Sequence, residues 1–148
     1  MKVSVQTEDF DLGKEYQELA RDNSQDGAIV TFTGLVRDRN QGHDVHGLTL
    51  EHYPGMTEKA LMDIVVQAKN RWSLGRVTVI HRVGALKLSD QIVFVGVTSP
   101  HREEAFLAAE FIMDYLKNDA PFWKKERTKS GERWVEFNDK DKEAAKRW

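Results

Sequence analysis

The chain has 148 residues, with 22 Lys and Arg against 24 Asp and Glu, a formal net charge of −2 and no cysteine. That length suits one domain spanning 1–148, which buries roughly 70% of its unfolded surface without a staple. The missing thiol excludes disulfides, thiolate metal sites and a cysteine nucleophile, and the near-balanced charge argues against a dedicated nucleic-acid binder.

The first residues, MKVSVQTEDFDLGKEY, have no apolar h-region, so no signal peptide is expected. No apolar run approaches the roughly 18 residues of a membrane span, which leaves a cytoplasmic protein as the expectation. LGKEYQELARDN sets Leu12, Tyr16, Leu19 and Ala20 on one helical face. DGAIVTFTGLVR reads as a strand over about 28–37, DRNQGHD as a polar loop, and HGLTLEHY as a second strand closed by Pro54-Gly55. MTEKALMDIVVQAKNRW is the clearest helix. Ala60, Leu61, Ile64, Val65, Ala68 and Trp72 form its stripe, and Thr57 is the expected N-cap.

RVTVIHRVG and QIVFVGVTS read as an antiparallel pair of strands joined by GALKLSD. A second long helix follows, capped by Ser99, with Pro100 at its first position. It should stop near Asn118 or Asp119, because Pro121 biases Ala120 away from helical angles. PFWKKE and RWVEF then read as strands around a KSGE turn, and DKEAAKRW as a short terminal helix. Two long helices and about six partly antiparallel strands make the class α+β.

Three features can carry chemistry. Lys117 and Lys124 flank the stiff corner Ala120-Pro121-Phe122-Trp123. A lysine in the last helical turn satisfies the dipole by itself. An ammonium beside dry aromatic surface, however, loses hydration and becomes usable for proton transfer. Period-2 alternation puts Lys124 with Phe122 and Glu126, away from Trp123 and Lys125. Second, His101 and Arg102 start a helix whose free N–H groups attract anions. Third, Arg37 ends a strand, where function often sits. His43, His46, His52 and His81 lack a ligand pattern, so no metal is expected, and His81 reads as a packed core histidine. No nucleotide-loop or serine-hydrolase motif is present.

The runs VTFTGLVRDRN, LTLEHYPGMTEKAL, DQIVFVGVTSPHREEAF, FIMDYLKNDAPFWKKE and the end AAKRW resemble the MoaE family, the large catalytic subunit of molybdopterin synthase. The resemblance runs from about Phe10 to Trp148. It implies an α/β-hammerhead fold, with a smaller β region beside the main sheet. It also implies sulfur transfer into cyclic pyranopterin monophosphate, without a cofactor, to form the dithiolene of molybdopterin. The sulfur would come from a thiocarboxylate on the C-terminal Gly-Gly of a small ubiquitin-like partner. A homodimer of this chain would form the core of a heterotetramer. The resemblance makes Lys117 and Lys124 catalytic, Arg37, His101 and Arg102 anion-binding, and Phe32 and Met113 pocket positions. It departs at Asn138, where a basic residue from the neighbouring protomer is expected and for which Arg133 or Lys140 could substitute. The residues leave two rivals: a module that binds a ubiquitin-like tail, and an RNA binder using Arg37, Arg39, Lys124, Lys125 and Arg127 with Trp123 as a stacking surface.

Overall fold

The structure, a computed structural model, describes residues 1–40, 43–135 and 139–148, and at positions 39, 40 and 43 the backbone only. In chain order its elements are β1 (Lys2–Gln6), α1 (Leu12–Ala20), β2 (Ala28–Leu35), β3 (Arg39–Asn40), β4 (His43–Asp44), β5 (Gly47–His52) and α2 (Met56–Arg71). They continue as β6 (Val77–Arg82), β7 (Gly84–Lys87), β8 (Gln91–Ser99), α3 (Arg102–Asp119), β9 (Phe122–Thr128), β10 (Gly131–Trp134) and α4 (Asp139–Lys146).

The main sheet runs β1-β6-β8-β2, parallel only between β1 and β6. β8 is central and buried along most of its length, as its unbroken apolar run requires. The stripes of α2 and α3 cover this sheet, with Leu61, Ile64, Val65, Phe111 and Ile112 packed on Val79 and Val95. Trp72, Phe111 and Trp148 close one end of this core in edge-on contacts, with centroids 5.4 to 5.7 Å apart. A second, antiparallel sheet runs β10-β9-β5-β7 around Val36, Leu48, Leu50, Val83 and Leu86. The α+β reading holds. The corner after α3 joins the two layers, because α3 packs on the first sheet and β9 belongs to the second.

Several local expectations change. β1 was not foreseen; Val3 and Val5 alternate over only five residues, and the strand pairs with one some 75 positions away. GALKLSD is more than a connector: Gly84, at φ +88°, turns the chain so that β7 joins β5 in the second sheet. DRNQGHD contains a short ladder, with Arg39 opposite Asp44. On α1 the buried residues are Leu19 and Glu15, the latter held by Lys2 at 2.7 Å, while Leu12 and Tyr16 are exposed. Gly55, not Thr57, caps α2. α3 starts at Arg102 with His101 as N-cap and no side-chain cap bond; the Ser99 hydroxyl instead donates to the Ser73 carbonyl.

Candidate functional site

α3 ends as Pro121 dictates: Ala120 leaves helical space at φ −81°, ψ 132°. Phe122 N then donates to Ala120 O at 2.9 Å and the chain enters β9. Thr57 pins this turn from α2. Its wholly buried hydroxyl accepts from Tyr53 N and donates to the Pro121 carbonyl, both at 3.0 Å. Downstream, β9 is held on both sides. Leu50 of β5 stands opposite Lys124, and Val135 N donates to Lys124 O at 2.9 Å. The corner is stiff because α2, β5 and the chain after β10 each hold a different part of its backbone.

Alternation along β9 only partly decides which side chains meet. Phe122, Lys124 and Glu126 line a cavity of about 630 Å³, and Trp123, which alternation turns away from them, borders it as well. Lys125 points the other way, 3.3 Å from Glu132 and 4.9 Å from the centroid of the Trp134 ring. Lys117 of α3 and Arg37, just beyond β2, line the same cavity. Lys117 lies near enough to Lys124 to be, after burial, a main cause of its lowered pKa. Lys124 is half-buried. Burial foremost, then the charge and hydrogen bond of Lys117, push its pKa down to about 8 against the opposite pull of Asp141 and Glu126.

Three acids complete the wall, the exposed Asp119 at the end of α3 among them. Glu126, 3% exposed, is held by Arg133 at 2.9 Å. Arg133 is therefore committed within its own chain, which weakens it as a stand-in for the basic residue missing at 138; Asn138 itself lies outside the described residues. Asp141 of α4 also lines the cavity, and its carbonyl accepts from Asn118 Nδ2 at 2.8 Å, which ties α4 to the end of α3. None of the three is a site residue on the sequence reading, although Glu126 shares the alternation that selects Lys124.

The other site residues lie elsewhere. His101 and Arg102 are exposed and border a separate, shallow depression with Gly27, Pro100 and Glu103. Arg102 and Lys117 sit at opposite ends of α3, about 22 Å apart at the helical rise per residue. Phe32 is 43% exposed on the edge strand β2, and Met113 is half-buried against the main core; neither lines the lysine cavity. The structure therefore brings Arg37, Lys117 and Lys124 together and leaves His101, Arg102, Phe32 and Met113 apart from them. Nor do the basic residues of β9 make one face for RNA. Lys124 points inward, Lys125 is paired with Glu132, and Arg127 donates to the Leu86 carbonyl at 3.3 Å. Among the described residues no helix is long and apolar enough to cross a membrane.

The family model described as MoaE protein matches residues 5–119. The molybdopterin synthase catalytic subunit of Escherichia coli (strain K12) is 62% identical over 147 residues, covering 99% of this chain and 97% of that protein. This chain belongs to the MoaE family. A further MoaE relative, the molybdopterin synthase catalytic subunit of Vibrio cholerae, is 59% identical over 99% of this chain and 97% of its own length. Among solved structures, the molybdopterin biosynthesis MoaE protein from Burkholderia ambifaria superposes with a TM-score of 0.84 at 49% identity, covering 99% of this chain and 97% of that one. Molybdopterin synthase from Staphylococcus aureus gives 0.81 at 34% identity, over 89% and 95%.

Proposed function

We propose that this chain is the catalytic subunit of a molybdopterin synthase. It acts over residues 1–148 as one unit and transfers sulfur from the thiocarboxylated Gly-Gly end of a small ubiquitin-like partner into cyclic pyranopterin monophosphate. The observation that carries this reading is the lysine pair at a braced corner, the half-buried Lys124 and the exposed Lys117 lining one cavity together with Arg37. The names of the relatives support a molybdopterin synthase catalytic subunit; sulfur transfer is our reading, and the pair supplies a means.

The chain has no thiol, so sulfur must come from a carrier. A tail ending in two glycines can thread a narrow cleft where a Cβ would clash. Its thiocarboxylate is an anion, and it enters beside an amine that, with a pKa of about 8, is still mostly an ammonium at neutral pH. The new charge favours that ammonium further, so Lys124 keeps its proton and pairs with the tail. Sulfur then bonds to a side-chain carbon of the pterin as that carbon's C–O bond breaks, and Lys117 gives the departing oxygen its proton. Both ammonium groups stabilise negative charge on the acyl intermediate that links substrate and carrier. Water takes the carrier's acyl carbon, leaving a carboxylate on the carrier and the sulfur on the pterin. A second carrier repeats the step. The cysteine-free chain and the thioacid both suit a reducing, cytoplasmic compartment.

The substrate's phosphate needs an anchor. His101 and Arg102 offer one at a helix start, yet they lie about 22 Å along α3 from Lys117, too far for one small ligand to bridge within a single chain. A second copy resolves this. A two-fold dimer places one protomer's helix start beside its partner's lysine cavity, each site then being built twice. The half-exposed Phe32, Leu35 on the same edge strand, and Phe106 near the start of α3 give such a dimer apolar surface to cover.

Mass spectrometry tests the reading. Purified chain, thiocarboxylated partner and cyclic pyranopterin monophosphate should yield a product carrying both sulfurs. Tail binding without any sulfur-bearing product would point instead to a non-catalytic module for ubiquitin-like tails.

A further inference from the structure

His81 does more than pack. Its side chain, near the end of β6, is 5% exposed, and its ring stacks on Phe122 with centroids 3.9 Å apart and planes 21° from parallel. Nδ1 lies 2.8 Å from the Arg82 carbonyl oxygen. A carbonyl only accepts, so this contact is a hydrogen bond only when Nδ1 carries the proton. Burial above all keeps the ring neutral. The charges of Lys117 on α3 and Lys124 on β9, and His52 on β5, add to this against the pull of the Arg82 carbonyl, and the pKa falls to about 3. Nε2 is then an unprotonated acceptor.

The ring borders the lysine cavity, and among the described residues no hydrogen bond reaches Nε2. Nε2 is not sealed off from that cavity, so the donor it lacks within the chain is one that the cavity's occupant can supply. The wall also holds the carboxylates of Asp119, Glu126 and Asp141, and the last two attract Lys124 and so compete with an incoming anion. A neutral imidazole nitrogen can take an N–H without drawing either ammonium away from that anion.

We propose that His81 is a further specificity-determining residue, its Nε2 accepting a hydrogen bond from an N–H donor of the ligand that seats against Lys117 and Lys124. For the identity of that ligand the proposal rests on the sulfur-transfer reading, which offers two N–H sources: the peptide amides of the Gly-Gly tail, and the pterin ring.

Calorimetric binding of each ligand, the small partner and cyclic pyranopterin monophosphate, should be measured for wild type, His81→Phe, His81→Asn and His81→Gln. Phe keeps the stack, Asn keeps a donor near the Arg82 carbonyl, and Gln returns an acceptor towards the cavity. Phe and Asn should weaken one ligand about tenfold, and Gln should recover most of the loss. A loss confined to the partner names the tail amide as donor; one confined to the pterin names the ring. Equal affinities in all variants overturn the proposal, as does a loss for both ligands that Gln fails to recover. Nitrogen NMR of histidine-labelled wild type needs no variant to fold. It should show an unprotonated Nε2 down to about pH 5 that shifts on binding one ligand, and a protonated Nε2 also overturns the proposal. Wild type that bound neither ligand would instead sink the sulfur-transfer reading, and the proposal with it, a failure recognisable without any variant.

Discussion

α3 carries cations at both ends, and the two ends are built for different tasks. At its C-terminal end Lys117 faces Lys124 across a cavity, and the second amine is half-buried with its pKa brought down to about 8. At its N-terminal end His101 and Arg102 stand exposed around a shallow depression, with Glu103 and Glu104 beside them in the first turn. The C-terminal end is dry only at Lys124, which loses hydration and gains reactivity, while Lys117 beside it is exposed. The wet end keeps its hydration and offers charge, a guanidinium fork and free backbone N–H groups. Proton transfer needs the first kind of place; holding a phosphate needs only the second.

The largest expected effect comes from the dry end. Lys117→Ala should cut turnover by about 100-fold or more, as loss of a proton-handling or charge-stabilising group does. Single-turnover formation of sulfur-bearing pterin reads it, and near-normal turnover would remove Lys117 from the chemistry. Arg102→Ala should act differently, weakening pterin affinity about tenfold as a charged hydrogen bond is lost. Unchanged affinity would move the phosphate elsewhere.

Whether the two ends work together across a dimer can be asked directly. Lys117→Ala chains mixed and re-equilibrated with Arg102→Ala chains should regain about a quarter of wild-type sites, because half the dimers are mixed and one of their two sites is intact. No recovery, with exchange verified by mass, would mean that each chain's two ends serve separate ligands.

Lys124 sharpens the contrast through stability. Below about pH 8 its amine is protonated in both folded and unfolded chains, and the folded state bears the full cost of a poorly hydrated ammonium. Above the unfolded value of 10.5 it is neutral in both, and the cost is gone. Its contribution to stability therefore rises between about pH 8 and 10.5. Lys124→Met should raise stability at pH 7 by about 1–3 kcal/mol and flatten that rise. Urea unfolding at the two pH values reads both. A less stable Met variant at pH 7 would show that burial does not strain this amine.

Much of the dry end was legible in the residues. Pro121 ends the helix by local sterics, and alternation puts Lys124 with Phe122 and Glu126; both signals act over a few positions. What failed depended on distant partners. Thr57 looked like a helix cap, but its hydroxyl serves a carbonyl 64 positions away. His81 was rightly read as buried from its alternation with Val77 and Val79. That its ring would also border a cavity depended on β9, a strand of the other sheet. β1 is five residues long and meaningful only once β6 lies beside it. The separation of Arg102 from Lys117 was implicit in the helical rise all along. The family resemblance grouped them by role, and role is silent about which copy supplies each residue.

The smallest effect tests whether bracing matters to the dry end at all. Thr57→Val keeps the β-branched shape but leaves the Pro121 carbonyl and the Tyr53 N–H without their partner. That should cost about 1–3 kcal/mol of stability. If the corner must be stiff to hold both lysines on one cavity, turnover should fall several-fold while pterin affinity, which depends on the distant wet end, stays put. Thr57→Ser should restore both hydrogen bonds and most of the rate. A Val variant that lost stability but kept wild-type turnover would separate the two ideas. The hydroxyl would then hold the fold together, and the lysine pair would owe its geometry to β5 and Val135 instead.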